Sequence, residues 1–338
     1  MQQEVFYLLS VLYKMYLNRS YTDLIKFISC ILIYILHYYA GGDYFYIVEP
    51  FAYIGCSIFF FLSVFGVSKS QEKKKLKFVH FIKYRIIKIW VPLIFVNLVF
   101  IGINWCLSGK QFGVPHYAPN HNIYFTQETT TNLFLFIFDF KAIDPATWFL
   151  HTLIISYILI WGLLKIKNKK TRSIISICVY LIAEVYFFGE IKPKWFKIDT
   201  IGLLLGVLYA TYLDEINSFI NKYNSRLLII SLTIFTITLS FSYLYTIWEV
   251  KFSFGFIVLA IIYSSISILI MLLLSKDILF DTKISSFLGG ISFMIYLTHV
   301  KIINITEHIH VFLCFLIVLI VSIIIYITTN KFVKYLAK

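Results

Sequence analysis

Lys26 and His37 lie eleven positions apart within one apolar run. At 100° per residue that spacing is ~20° from whole turns, so both side chains leave one face of a helix, with an axial rise of ~16 Å between them. Ionisable groups in hydrocarbon are costly and mark function. A lysine at one membrane face can hold a phosphate. A neutral imidazole in the other half can take a proton from a hydroxyl at physiological pH. The plain alternatives are a snorkelling interfacial lysine and a structural histidine hydrogen-bonded to a neighbour.

More such groups fall at similar depth in other apolar runs: His151 after Trp148-Phe149-Leu150, Glu184, Asp199, and His299 in Tyr296-Leu297-Thr298-His299. Any one could be a polar contact between helices. Together they predict a polar cavity in the outer half of a bundle. Near the inner side, Arg85 and Lys88 are three residues apart, one turn on one helical face. Such a pair can grip phosphate, and plain charge bias next to a span would give the same two residues. No G-x-S-x-G, Walker or H-E-x-x-H pattern is present. Ser63 has no base beside it in sequence and is expected to serve helix packing. Cys30, Cys56, Cys106, Cys178 and Cys314 have neither metal nor disulfide spacing, so no metal is expected.

The elements that must position these groups follow from composition. The chain has 338 residues, 60% hydrophobic and 14% charged. Its mean hydropathy is +0.83. Soluble domains carry about 25% charged residues, so an ordinary globular enzyme is excluded, and so is a disordered chain. Apolar runs near 23–40, 47–68, 87–107, 147–164, 173–189, 199–213, 226–247, 252–274, 285–303 and 309–329 predict an all-α polytopic membrane bundle of about ten transmembrane helices. Residues 132–140 are too short to cross and read as an interfacial or re-entrant piece.

The net charge of +13 arises from basic residues between the runs. The positive-inside rule therefore accounts for it before nucleic acid does, and no nucleic-acid partner is expected. The basic segments 69–88 and 165–172 belong in the cytoplasm, as do both termini; Lys192, Lys194 and Lys197 are discordant. One integral-membrane domain over 1–338 is expected, with an outward loop at about 108–146 and no cleavable signal peptide. Oligomeric state is not readable.

Five stretches, in order, resemble the acyltransferase family 3 membrane proteins, which O-acylate surface sugars. Lys26 through His37 resembles that family's basic-x10-His signature, with Lys26 in the place usually held by Arg. Phe60-Phe61-Leu62-Ser63-Val64-Phe65 resembles its "FFxLSGF" stretch, with Val64 replacing Gly. Tyr84-Arg85-Ile86-Ile87-Lys88-Ile89-Trp90-Val91-Pro92 resembles its "RRxxRIxP" segment, in an R-x-x-K form. Thr147-Trp148-Phe149-Leu150 with Tyr157, and Ile291 through His299, resemble its "WFL…Y" and "iSyxiYLxH" spans.

The resemblance implies acyl transfer from a cytoplasmic acyl-CoA, acetyl-CoA by default, to a glycan or lipid-linked glycan, in a bacterial cytoplasmic membrane. It assigns Lys26, His37, Arg85 and Lys88 to that chemistry. On this reading Lys26, Arg85 and Lys88 hold the CoA phosphates, and a polar shaft leads the pantetheine arm up to His37, the general base. Glu184 or Asp199 would orient the imidazole, and His299 or His151 would donate to the oxyanion. The alternative is a carrier or flippase, which glycine-broken spans at Gly202–Gly206 or Gly289–Gly290 would favour.

Overall fold

The computed structural model describes residues 17–40, 42, 44–107, 114–117, 123–126, 130–139, 145–188, 199–247, 254–275, 282–306 and 309–336. Each of the ten apolar runs is a helix, because a backbone in hydrocarbon must satisfy its own N–H and C=O groups. In chain order they are α1 (Arg19–Tyr38), α2 (Phe45–Lys74), α3 (Phe78–Leu107), α5 (Trp148–Leu163), α6 (Lys169–Phe188), α7 (Ile201–Thr211), α8 (Leu213–Ile247), α9 (Phe254–Leu274), α10 (Thr282–Ile305) and α11 (Val311–Leu336). Seven of the described helices are long and apolar enough to cross a membrane, while α5 and α7 are shorter. The protein is therefore a multi-pass, helical membrane protein. Pro92 lies inside α3, which runs on through it.

The stretch between α3 and α5 contains more structure than an irregular loop. Two short strands, β1 (Val114–Tyr117) and β2 (Ile123–Thr126), pair antiparallel with Pro115 opposite Phe125. They are followed by the eight-residue α4 (Thr130–Ile137), which overlaps the stretch 132–140 too short to cross a bilayer. Backbone contacts place β1 against α10 and α3. The carbonyls that end α4 have no intrahelical partners. Trp90 Nε1 donates to Phe138 O at 2.9 Å, and Asn97 Nδ2 donates to Phe136 O at 3.2 Å. Both donors lie on α3.

α1 and α10 pack along their lengths, and α2 covers α1 from another side. The α1–α10 contact is close because Gly289 lacks a side chain: a Cβ there would sit 2.4 Å from Cβ of Asp23. Further along, the Cys30 thiol donates to Ser292 O at 3.1 Å. Tyr34 and Tyr38 then donate to Val311 O and Ile309 O, at 2.7 and 2.6 Å, and tie α1 to the start of α11. α7 meets α2 even more tightly, since a Cβ on Gly202 would lie 1.9 Å from Ser57 O. The glycine pairs that would mark broken spans in a carrier are thus helix-contact points, and α7 and α10 run unbroken through them. Cys30, Cys56 and Cys314 are buried, as small core residues should be, whereas Cys106 and Cys178 are exposed.

This packing predicts a contrast between two glycines. Gly202→Ala should lower stability by about 1–3 kcal/mol through overpacking, seen as a lower thermal unfolding midpoint of the detergent-purified protein. Gly66→Ala, with nothing within 4 Å of its added methyl group, should leave the midpoint unchanged.

Candidate active site

His37 lies in the last turn of α1 and His299 three-quarters of the way along α10. Their rings meet with centroids 5.0 Å apart and planes at 56°. His37 is half-buried and His299 fully buried. The α1 imidazole therefore faces the bundle, against a second imidazole. His299 Nδ1 lies 2.7 Å from Tyr296 O and 3.1 Å from Ile295 O. Carbonyl oxygens only accept, so Nδ1 carries the proton of the neutral ring and Nε2 is left with a lone pair. That Nε2 is buried with no hydrogen-bond partner among the described residues. A neutral His299 consequently presents an acceptor beside His37, so the role of oxyanion donor does not fit it.

Tyr296, one turn before His299, donates its hydroxyl to Ala146 O and holds the start of α5 onto α10. Its ring packs on Phe149 at 5.1 Å and Phe59 at 6.5 Å, and Phe149 in turn packs on Phe60 at 4.1 Å. These aromatic side chains come from three of the five motif stretches or the residue beside one. The groups acting on His299 are His37, Lys301 and two carbonyls. Asp199 is not among them: it is buried with Cys56, to which it is hydrogen-bonded, beside Tyr53 and Tyr263. Glu184 lies on α6, and its side chain falls outside the described residues.

His151 takes a different partner. Its Nε2 lies 3.5 Å from Oδ2 of buried Asp139 at the end of α4, and its ring lies 5.8 Å from Trp90. It forms a separate dyad on α5 and is not part of the His37–His299 pair.

At the other end, Arg85 stands over three rings, Phe81, Tyr84 and Tyr157, at 5.5–5.6 Å. Its Nε is buried with no hydrogen-bond partner among the described residues. Lys88 lies 4.3 Å and Lys74 5.3 Å from the Tyr84 ring centre. The expected one-turn pair is thus a cluster of three cations around one phenol. Ser63 is hydrogen-bonded to Tyr157, which joins α2 to α5 beneath Arg85 and fits its expected packing role.

Lys26 behaves differently from its expected companions. It lies 3.3 Å from Oδ1 of Asp23, which also faces Arg19 at 3.6 Å. Its charge is held by a carboxylate on α1 itself, and no described ion pair or ring contact links it to Arg85 or Lys88. Phe59, Phe60, Phe149 and Tyr296, all buried, form one set of ring contacts that reaches His299 through Tyr296, 5.7 Å away. These rings form an aromatic layer beside the imidazole pair.

One charged residue in this region is inconspicuous in the sequence. Lys301 is fully buried two residues after His299, and its Nζ donates to Leu297 O at 3.1 Å. Near the end of an apolar run it looks like an interfacial lysine; only packing reveals its depth.

The site thus has two polar centres: an imidazole pair at one end of the bundle and a caged arginine at the other. The acyltransferase domain model of acyltransferase family 3 matches residues 19–329, and the chain belongs to that family. It is a membrane acyltransferase. No curated protein and no solved structure matches the chain.

If the aromatic layer is structural, truncating one of its fully buried members has a calculable cost. Phe149→Ala should destabilise the protein by about 3–5 kcal/mol, measured as a fall in unfolding midpoint, whereas Phe134→Ala at an exposed ring should cost under about 0.5 kcal/mol.

Proposed function

We propose that this acyltransferase moves an acetyl group from cytoplasmic acetyl-CoA to a hydroxyl of a cell-surface polysaccharide or its lipid-linked precursor, in the cytoplasmic membrane of a bacterium. The observation that carries the reading is the His37–His299 contact, with the caged Arg85 at the opposite end of the bundle. Support for the sidedness comes from the basic segments after α2 and after α5, which gather at the Arg85 end and fit a cytoplasmic face.

In this mechanism Arg85 and Lys88 hold the donor's phosphates, as cations with unused hydrogen-bond donors do. Lys26 takes a supporting role, because Asp23 shares its charge. The pantetheine arm passes along α5, which requires the rings of Phe59, Phe60 and Phe149 to part. His37 removes the proton of the acceptor hydroxyl. The oxygen attacks the thioester carbonyl, and a C–O bond forms as the C–S bond breaks. His299 holds the His37 imidazolium through its unprotonated Nε2, and the proton leaves with the CoA thiolate. General base catalysis is worth ~10²–10⁴-fold.

The test is His37→Ala at unchanged membrane abundance, assayed in proteoliposomes with labelled acetyl-CoA inside and a glycan acceptor outside. Transfer should fall by ~10²–10⁴-fold. Transfer at the wild-type rate would defeat the base assignment. Label that crosses the membrane without esterifying the glycan would instead favour a carrier.

A further inference from the structure

A second cationic site lies closer to the basic end than Arg85. A cavity of about 340 Å³ is lined by Gln71, Glu72, Lys75, Trp161, Lys165 and Arg172, together with Leu164. It forms where the turn between α2 and α3 meets the turn between α5 and α6. Three of its lining residues are cations, and its one carboxylate, Glu72, already faces Lys69 at 2.8 Å.

The walls are fixed by specific bonds. Gln71 Nε2 donates to Leu76 O at 2.7 Å, and Trp161 Nε1 reaches the same carbonyl at 3.5 Å. Lys75 ends α2 in the left-handed region, at φ 49°. A non-glycine residue there is strained, and such positions persist where the surroundings hold them. Lys165 lies over the Trp161 ring at 4.6 Å. Arg172 donates Nε and Nη2 to Ile166 O at 3.0 and 2.6 Å, which orients the guanidinium and leaves its other N–H groups available.

The cavity is continuous with the line of residues already described. Trp161 packs on Phe78 at 4.9 Å. One turn deeper along α5, ~6 Å on, Tyr157 lies under Arg85. A further eight residues, ~12 Å, lead to Phe149 against Tyr296. The polyanionic head of a donor seated at the cavity would therefore direct its arm past Arg85 toward the imidazoles.

We infer that this basin binds the phosphorylated adenosine of the CoA donor, with Lys75, Lys165 and Arg172 on its 3′-phosphate, while Arg85 and Lys88 hold the diphosphate further along. The inference rests on the acyl-CoA reading above. The chemistry it recognises is clustered phosphate, which a CoA nucleotide and an anionic lipid headgroup share.

The two sources separate in one titration. The full-length protein, in phosphatidylcholine nanodiscs and again in phosphatidylglycerol nanodiscs, is titrated with CoA and with 3′-dephospho-CoA. Wild type should prefer CoA in both lipids. Lys75→Ala and Arg172→Gln should each weaken CoA binding roughly tenfold or more and erase its advantage over the dephospho form. Lys170→Ala, at an exposed lysine outside the basin, should change neither. Unaltered CoA affinity in Lys75→Ala and Arg172→Gln would overturn the basin assignment while leaving the donor reading intact. A CoA preference lost in phosphatidylglycerol would overturn it in favour of a lipid headgroup site. No CoA binding by wild type would overturn the donor reading itself, and the basin with it.

Discussion

The close approach of α1 to α10 is the constraint on which the rest depends. Hydrocarbon offers no hydrophobic drive between apolar helices, so association rests on packing and on polar contacts. Here both occur in one seam. Gly289 lets the two backbones meet at Asp23, and Cys30 bonds to Ser292 O across 262 residues of chain. Helices held this way cannot easily rotate, so whatever lies further along the seam is also fixed. What lies there is His37 against His299. A seam rotated by a quarter-turn would send the α1 imidazole into lipid and leave His299 Nε2 facing hydrocarbon.

A second consequence concerns the separation of charge and chemistry. Arg85 is surrounded by rings rather than by carboxylates, and a cation held over aromatic faces keeps its hydrogen-bond donors for a ligand. The aromatic residues Phe59, Phe60, Phe149 and Tyr296 form one layer beside the imidazole pair. It explains why several motif positions are rings: Phe60, Phe149 and Tyr296 meet in this layer.

Much of the fold was legible from hydropathy alone. All ten apolar runs fall in helices, because in a bilayer every backbone polar group must find a partner within its own segment, although α3 and α8 begin well before the runs expected at 87 and 226. The hairpin β1–β2 escaped notice, since four-residue strands beside prolines carry almost no periodic signal. The site was half legible. His37 and His299 each stood out as ionisable groups in apolar runs, but nothing in either run says that they touch. Pairing depends on where small residues such as Gly289 fall, a long-range property. Asp199 was equally conspicuous and belongs with Cys56 instead. Lys26 shared a helical face with His37 as its spacing required, yet Asp23, three residues before it, holds its charge. The dyad of His151 with Asp139 needs a left-handed residue at φ 59° after α4, and such a turn is invisible to periodicity.

The central claim is that His37 and His299 act as one unit. The most direct measurement is a double-mutant cycle on the acyl-transfer rate, comparing His37→Ala, His299→Ala and the double variant at equal membrane abundance. Residues that work as a unit are strongly non-additive, so the double variant should be no slower than the slower single variant. Rate losses that multiply would show two independent residues and contradict the account.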